Sequence, residues 1–334
     1  MSLVAAAQTP RLHLGALFEA IVDWMTANLG FFLDAIGLVV DQAVSYLAAF
    51  FAAPVIVVLA VIFGGFALAW RGWKVGLAAF VGSLALGYAA AAAHVAPQHV
   101  LALTFGIIGL ALRGWAFGSF AFLAFLLIDA MGLWDPAMQT LALVLVASAC
   151  AVALAVPLGI AAARYDVVSR VLRPVMDFMQ TMPAFVYLIP AIFLWGVGTA
   201  PGAVATLIFA MAPGVRLTEL GIRQVDPEVV EAGEAFGASP AKVLFRIQLP
   251  LALPTLMAGI NQVIMLALSM VVIAGLVGAG GLGDSVYSAI SRVQIGPGFE
   301  AGLAVVILAI YLDRLTAALT SRSAVVRAQA AAAR

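Results

Sequence analysis

The chain has 334 residues, of which 65% are hydrophobic and 10% charged, and its mean hydropathy is +1.15. Soluble domains are about 45–50% apolar and about 25% charged, so this composition excludes an ordinary soluble protein and predicts several membrane crossings. The formal net charge is zero, which indicates no nucleic-acid-binding surface, and the single cysteine, Cys150, cannot form an internal disulfide.

The first 53 residues have no basic signal-peptide start and no uninterrupted apolar run of about 20 residues. Four acidic residues interrupt their apolar stretches: Glu19, Asp23, Asp34 and Asp41. For residues 1–53 we therefore predict one or two amphipathic helices, lying outside the membrane at its surface or against the helix bundle. The alternative is a single spanning helix of low hydrophobicity.

Residues 54–135 are predicted to form four accessory transmembrane segments, the third of which is short for a span. These segments lie at about 54–70, 75–93, 99–112 and 115–133. A short internal repeat suggests that these segments form two hairpins, because Arg71-Gly72-Trp73 recurs as Arg113-Gly114-Trp115. Either a duplicated hairpin or the frequency of Arg and Trp at membrane interfaces explains the repeat.

Residues 136–320 are predicted to form a core of five spans, followed by a polar cytosolic tail at 321–334. The spans lie at about 136–163, 174–198, 204–220, 252–280 and 300–320. A short loop holding Arg164, Arg170 and Arg173 is expected between the first two. If residues 226–250 are cytoplasmic, every Lys and Arg of the chain except Arg11 and Arg292 falls on the cytoplasmic side. The positive-inside rule therefore favours an outside N-terminus, a cytoplasmic C-terminus and nine spans.

Residues 226–250 are a charged segment in an otherwise apolar chain. Asp226-Pro227 and Ser239-Pro240 are helix-start signals, each a capping residue followed by proline in the first turn. Gly237 lies between them, where a residue that ends a helix is expected. The pattern predicts two short helices joined at a bend. One face of the first helix carries apolar or small residues: Val229, Ala232, Gly233 and Phe236.

No nucleotide-binding or catalytic motif accompanies these spans. A Walker A phosphate loop is missing from the sequence, and serines occur without a His–Asp arrangement. The G-x-G-x-x-G match at Gly278, Gly280 and Gly283 ends an apolar run, which indicates close helix packing or a break in a span. The histidines His13, His94 and His99 have no metal-ligand spacing. We predict a chain that is not an enzyme and holds no metal or cofactor.

Two carboxylates, Asp129 and Asp177, lie in apolar segments. Asp177 follows Arg173 by one helical turn, and the same spacing relates Glu219 to Arg223, so we predict both pairs. Asp129 is near the outer end of its segment and is expected to reach water.

The charged segment resembles the EAA signature of ABC importer permeases. The matching residues are Glu231, Ala232, Gly233, Gly237, Leu249 and Pro250, with glycine at 233 where alanine is usual. In that family the loop is a cytoplasmic coupling helix that docks into a groove on the ATPase subunit. The resemblance therefore implies that these residues are the ATPase-coupling loop.

A longer stretch, from Met138 to Thr320, resembles the membrane subunit of glycine betaine/proline betaine ABC importers and of their choline-importing relatives. Its motifs are MQTLALVLVA at 138–147, PLGIAAAR at 157–164, LRPVMDFMQTMPAFVYLIP at 172–190, RLTELGIRQV at 216–225, LPLALPTLMAGINQVIMLALSMVVIAGLVGAGGLG at 249–283 and LAIYLDRLT at 308–316. The four accessory segments exceed the two expected before the core. No receptor domain is fused after the core, so a separate receptor is expected.

The resemblance implies an all-α polytopic membrane protein with the type I ABC importer permease fold, a five-helix core plus about four accessory helices. It implies import of a quaternary ammonium osmoprotectant across the bacterial plasma (inner) membrane. Two permease copies would form one path, an extracytoplasmic substrate-binding protein would deliver the solute, and a cytoplasmic ATPase would hold ATP and Mg²⁺. The competing hypothesis is a self-sufficient secondary transporter or channel for a small cationic or zwitterionic solute.

Quaternary ammonium ions are large, weakly hydrated cations that favour aromatic faces, so an aromatic and amide-lined path suits them. The core offers candidates for such a path, although each residue type is also common in ordinary interhelical contacts. These candidates are Gln180, Met182, Phe185, Tyr187, Asn261, Gln262 and Met265.

Overall fold

The computed structural model describes residues 14–52 and 96–321, and all regular structure within these ranges is helical. The helices are α1 (Leu14–Ala52), α2 (Pro97–Arg113), α3 (Trp115–Ala130), α4 (Trp134–Arg164), α5 (Asp166–Thr181), α6 (Leu188–Trp195), α7 (Thr199–Arg223), α8 (Pro227–Ala235), α9 (Pro240–Val243), α10 (Leu249–Ala274), α11 (Gly281–Ser291) and α12 (Ile295–Ser321). The predicted spans at 54–70 and 75–93, the Arg71-Gly72-Trp73 repeat and most of the tail lie outside the described residues.

Five helices within the described ranges are long and apolar enough to cross a membrane, which confirms a polytopic all-α protein. They cover Phe18–Ala52, Trp134–Arg164, Thr199–Arg223, Pro240–Val277 and Ile295–Ala318. A sixth span results if the bent pair Asp166–Thr181 and Ala184–Trp195 is counted as one. The helices α2 and α3, of 17 and 16 residues, are shorter apolar helices.

The predicted single helix from Pro174 to Gly198 is wrong. The chain breaks at Met182, which adopts an extended conformation (ψ 134°), and the helices on either side differ in direction by 111°. Pro183 explains the break, because a residue before proline is driven out of the helical region. The loop predicted to hold Arg164, Arg170 and Arg173 is wrong as well, because Arg170 and Arg173 lie inside α5. This helix is amphipathic, with polar and apolar residues on different faces.

The helix α1 is continuous over 39 residues and packs against α4, α6 and α7. The indole Nε1 of Trp195 in α6 donates a hydrogen bond to the carbonyl oxygen of Leu33 at 2.7 Å. Gly37 permits this approach, since a Cβ there would lie 2.8 Å from the Trp195 ring. Within residues 14–52, the described part of this region, the one or two predicted helices are a single helix, and its placement at or across the membrane stays a prediction.

The helices α2 and α3 form a tight antiparallel hairpin that turns at Gly114 (φ 91°). At the open end, Asp129 was expected to reach water. Its side chain is instead only 19% exposed and lies 3.1 Å from the Nε2 atom of His99. The sequence did not reveal His99 as the partner of Asp129, because the two residues lie on different helices.

At the centre of the fold, α7 packs between α4 and α10. Fully buried alanines line these contacts, and small side chains allow membrane helices to approach closely. All three helices run between the end that carries residues 226–250, here called the coupling end, and the opposite end.

The predicted break near Gly278 lies at the opposite end, between α10 and α11. Gly278 and Gly280 have φ angles of 71° and 77°, which favour glycine. A Cβ on Gly283 would lie 2.6 Å from the carbonyl oxygen of Val271, so close packing accompanies the break. The backbone N–H groups that begin α11 are satisfied by α4: Gly281 donates to Gln139 Oε1 at 3.0 Å and Leu282 to Thr140 Oγ1 at 2.8 Å.

Candidate coupling site and transport path

The charged segment starts with the predicted helix cap. A carboxylate oxygen of Asp226 accepts a hydrogen bond from the backbone N–H of Glu228 at 2.9 Å, and Pro227 occupies the first turn of α8. This arrangement satisfies a backbone donor that would otherwise lack a partner. Local sequence therefore determines where α8 begins.

The same helix ends at the predicted glycine. Gly237 has a φ angle of +78°, and its N–H donates to the carbonyl oxygen of Glu234 at 2.8 Å. The next N–H, of Ala238, donates to Gly233 at 3.1 Å, which completes a helix-ending motif that needs a left-handed residue. The predicted bend is confirmed.

The second short helix is not separate from the following span. The helix α9 passes through a π-helical turn, Leu244–Gln248, into α10, so that one helical rod covers Pro240–Val277. Leu249 and Pro250 consequently begin the long helix α10 instead of closing a loop. Pro250 lacks a backbone N–H, and a local change in hydrogen-bond pattern such as this π turn accommodates it without a break.

The outer surface of α8 is open. None of its residues is buried, Glu231 and Ala232 are exposed, and Phe236 directly after it has a side chain 93% exposed. Val230 and Gly233 are half-buried, and Gly233 faces α9 and the π turn. A Cβ at this position would lie 2.4 Å from Cδ1 of Ile247, which explains why glycine suits a position where alanine is usual.

A network of charges lies under the coupling segment, centred on Glu219 of α7. The carboxylate accepts hydrogen bonds from Ser169 Oγ at 2.7 Å and Arg173 Nη2 at 2.9 Å, and Arg223 Nε lies at 3.1 Å. The predicted pair of Glu219 with Arg223 is confirmed. Glu219 is only 6% exposed, so these three donors offset the cost of burying its charge.

The predicted pair of Asp177 with Arg173 is wrong. Asp177 pairs with Arg216 of α7, while Arg173 turns to Glu219. The buried Glu219 carboxylate needs a cationic partner more than the exposed Asp177 does, and α7 supplies Asp177 with another. Sequence spacing detects only partners on the same helix, so Arg216 and Ser169 were missed.

The path candidates fall into two groups, on elements that touch. Gln180, Met182, Phe185 and Tyr187 surround the break between α5 and α6, and the turn Ala184–Tyr187 packs against α10. The remaining three, Asn261, Gln262 and Met265, lie on α10 itself. The side chains of Gln180, Phe185 and Gln262 are exposed, and those of Met182 and Met265 are half-buried.

Two candidates are engaged in contacts within the chain. The buried Tyr187 donates its hydroxyl to the carbonyl oxygen of Met179, and its ring meets Phe209 edge-on. Asn261 donates to Asp313 Oδ1 at 3.1 Å and accepts a hydrogen bond from Thr316. These two side chains therefore have structural partners, and a role for all seven in a path stays a prediction.

A cavity of about 710 Å³ opens at the opposite end, between α1, the start of α4 and the break after α10. Its polar side chains include Asp41, Gln42, Asp135 and Gln139. Sequence reasoning missed it because its walls come from distant parts of the chain. Within the described ranges, no group of three His, Cys, Asp or Glu side chains could hold a metal ion.

The chain is similar in sequence to known membrane transport proteins. Residues 155–325 match the family described as binding-protein-dependent transport system inner membrane component. The glycine betaine transport system permease protein OpuAB of Bacillus subtilis (strain 168) is 43% identical over 92% of this chain and 94% of its own length.

Two further relatives have a higher sequence identity over a shorter part of the chain. The glycine betaine/carnitine transport permease protein GbuB of Listeria monocytogenes serotype 1/2a is 56% identical over 59% of this chain and 70% of its own. The glycine betaine/proline betaine transport system permease protein ProW of Escherichia coli (strain K12) is 53% identical over 57% of this chain and 54% of its own.

Proposed function

The chain belongs to the family of binding-protein-dependent transport system inner membrane components, and from this membership we propose that it carries glycine betaine or a closely related quaternary ammonium osmoprotectant. It is a permease subunit of an ABC importer and not an enzyme. The observation that carries the substrate proposal is that the names of OpuAB, GbuB and ProW share glycine betaine. The first of these aligns with 92% of the chain, so the likeness extends beyond the common core.

The coupling segment is the proposed docking surface for the ATPase subunit, which would hold ATP and Mg²⁺. Its exposed residues Glu231, Ala232 and Phe236 support this role, because an apolar ring beside charged residues in an exposed turn is suited to a protein interface. The rod formed by α9 and α10 would carry a displacement of this surface along the whole of α10, beside the path candidates.

The remaining parts of the proposal concern assembly and orientation. A second copy of the chain would complete the translocation path, and a separate substrate-binding protein would deliver the solute outside. The chain would lie in the bacterial inner membrane with its N-terminus outside and its C-terminus in the cytoplasm, as the distribution of Lys and Arg favours. Residues 54–135 would be accessory to the core at 136–320, with 226–250 as its coupling loop.

The competing hypothesis of a self-sufficient secondary transporter or channel receives no support. The family is defined by dependence on a binding protein, and the charged network at Glu219 consists of paired groups near the coupling end. A coupled ion carrier would instead need ionisable groups along its path.

Reconstitution tests the proposal directly. The chain is placed in lipid vesicles with its ATPase and receptor, and both ATP hydrolysis and uptake of labelled glycine betaine or choline are measured. The proposal expects glycine betaine to stimulate hydrolysis and enter the vesicles only when all components and ATP are present. Stimulation by choline but not by glycine betaine would move the substrate to another member of the quaternary ammonium class. Stimulation by neither would refute the substrate proposal, and uptake by the permease without ATP would refute the importer.

A further inference from the structure

Amphipathic helix α5 is attached to the core by a small apolar contact and by a series of ion pairs. Among its residues only Ser169 and Met176 are buried. Met176 packs into a small cluster with Ala155, Ala212 and Val215, and the half-buried Leu172 and Met179 of α5 lie against the same cluster. The apolar contact of α5 is therefore limited to three of its 16 residues, and side-chain contacts between polar groups supply the rest of its attachment.

Ion pairs join α5 to α7 at three levels, in antiparallel order. Asp166 meets Arg223 at 2.8 Å, Arg173 meets Glu219 at 2.9 Å, and Asp177 meets Arg216. The middle level is the buried one, since only there is the carboxylate almost inaccessible to solvent. Exposed ion pairs contribute little to the stability of a protein, whereas removing one partner of a buried carboxylate strongly destabilises it.

The network also reaches α4. Arg223 donates to the carbonyl oxygen of Ala162 at 2.8 Å, so one arginine contacts α4, the first residue of α5 and Glu219 of its own helix. Three helices are therefore held together at one point.

This point lies between two functional regions. Beyond Arg223, α7 leads through only Gln224 and Val225 to Asp226, the cap of the coupling helix. At its other end, α5 leads to the break at Met182 and to the path candidates around it. The charged network thus joins α7, which leads into the docking surface, to α5, which leads into the elbow between α5 and α6.

We propose that Glu219 is a positioning residue for transport, which clamps α5 to α7 so that a displacement of the coupling helix moves the elbow between α5 and α6. The inference rests on the proposed ATP-driven import. Without the clamp, α7 would move with the ATPase while α5 stayed behind. ATP would then be hydrolysed without a matching movement at the path candidates.

The test compares Glu219→Gln with Glu300→Gln, an exposed carboxylate on α12 that lies outside the network. Glutamine keeps the shape of the side chain and removes its charge. For Glu219→Gln we expect basal ATP hydrolysis to be retained and the ratio of solute imported to ATP hydrolysed to fall by a factor of about 5–150. Glu300→Gln should keep the wild-type ratio.

A distance measurement separates this role from general destabilisation. Spin labels at Glu228→Cys in α8 and Phe178→Cys in α5, in a Cys150→Ala background, report each helix relative to a label at Phe299→Cys at the start of α12. On ATP binding we expect both helices to move in the otherwise wild-type chain, and only α8 to move when Glu219→Gln is present. Concerted movement in the variant, or an unchanged transport ratio, would overturn the proposal.

A second variant covers a failure of Glu219→Gln to fold. Arg173→Gln combined with Ser169→Ala removes both side-chain contacts that α5 makes with Glu219 and leaves Arg223 on the carboxylate. It should give the same loss of coupling and the same separated movement, and wild-type behaviour would overturn the clamp. The label distances depend on ATP binding and not on the solute, so they decide the inference even if glycine betaine is the wrong substrate.

Discussion

The exposed phenylalanine at the end of the coupling helix allows a quantitative test of docking. Phe236 is 93% exposed, so in the isolated chain it contributes almost no buried surface. Complete burial of a phenylalanine side chain is worth about 1.5–3 kcal/mol. If the ring is buried by the ATPase subunit, Phe236→Ala removes most of that contribution from the complex and almost none from the folded permease.

The expected effect is therefore confined to binding. A loss of about 1.5–3 kcal/mol corresponds to a Kd for the ATPase that is about 10–150-fold higher, because each 1.4 kcal/mol is a factor of ten. The free energy of unfolding of the permease should change by less than about 0.5 kcal/mol, as for other surface substitutions. Binding is measured by titrating labelled ATPase onto purified permease, and stability by thermal unfolding of the permease alone.

A matched control is available at the start of α12. Phe299 is 70% exposed but lies on a different part of the chain, so Phe299→Ala should leave ATPase affinity unchanged. Wild-type affinity in Phe236→Ala would show that this face of α8 is not the docking surface. An equal loss in both variants would show that the assay reports general surface hydrophobicity.

Three further substitutions have defined outcomes. Gly237→Ala places a Cβ at a φ of +78°, at a cost of about 1–2 kcal/mol, so it should lower Tm by a few degrees and lower coupled uptake at a temperature where the chain is still folded. Unchanged uptake would contradict the bend as a docking element. Gly275→Ala brings a Cβ within 2.2 Å of the α11 backbone, so thermal unfolding should show a loss of about 1–3 kcal/mol in stability. The control Gly302→Ala should cause no such loss, because a Cβ at that position meets no atom within 4 Å. Asn261→Ala removes the amide that joins α10 to α12 and should lower the free energy of unfolding by about 0.6–1.7 kcal/mol. The neighbouring Gln262 is exposed, so an equal loss in Gln262→Ala would refute the Asn261 contact as the cause.

The coupling helix was predictable because its signals are local. The cap at Asp226 and the left-handed Gly237 act through hydrogen bonds that span at most five residues, and Pro227 acts through its fixed φ angle. The break before Pro183 had a local signal too, but the long apolar run on either side obscured it. Proline indicates a helix boundary, whereas a continuous apolar run indicates one uninterrupted span, and the two signals conflict at this position.

The partners of the charged residues could not be predicted in the same way. The i,i+4 rule found Arg223 for Glu219, which lies on the same helix, and failed for Arg173, whose partner lies on another. Likewise Tyr187 and Asn261 looked available for a path until the structure placed hydrogen-bond partners beside them.

The sequence by itself determined the membrane class, the family, most of the core helices and the ends of the coupling helix. The membrane class follows from composition, the helices and their ends follow from interactions within one or two helical turns, and the family follows from the resemblance of its motifs. Only the tertiary structure decided that α9 and α10 form one rod, that α5 leaves the line of α6 at 111°, and that Glu219 joins α5 to α7. Contacts between helices depend on rotation and register, which no fixed spacing along the chain encodes.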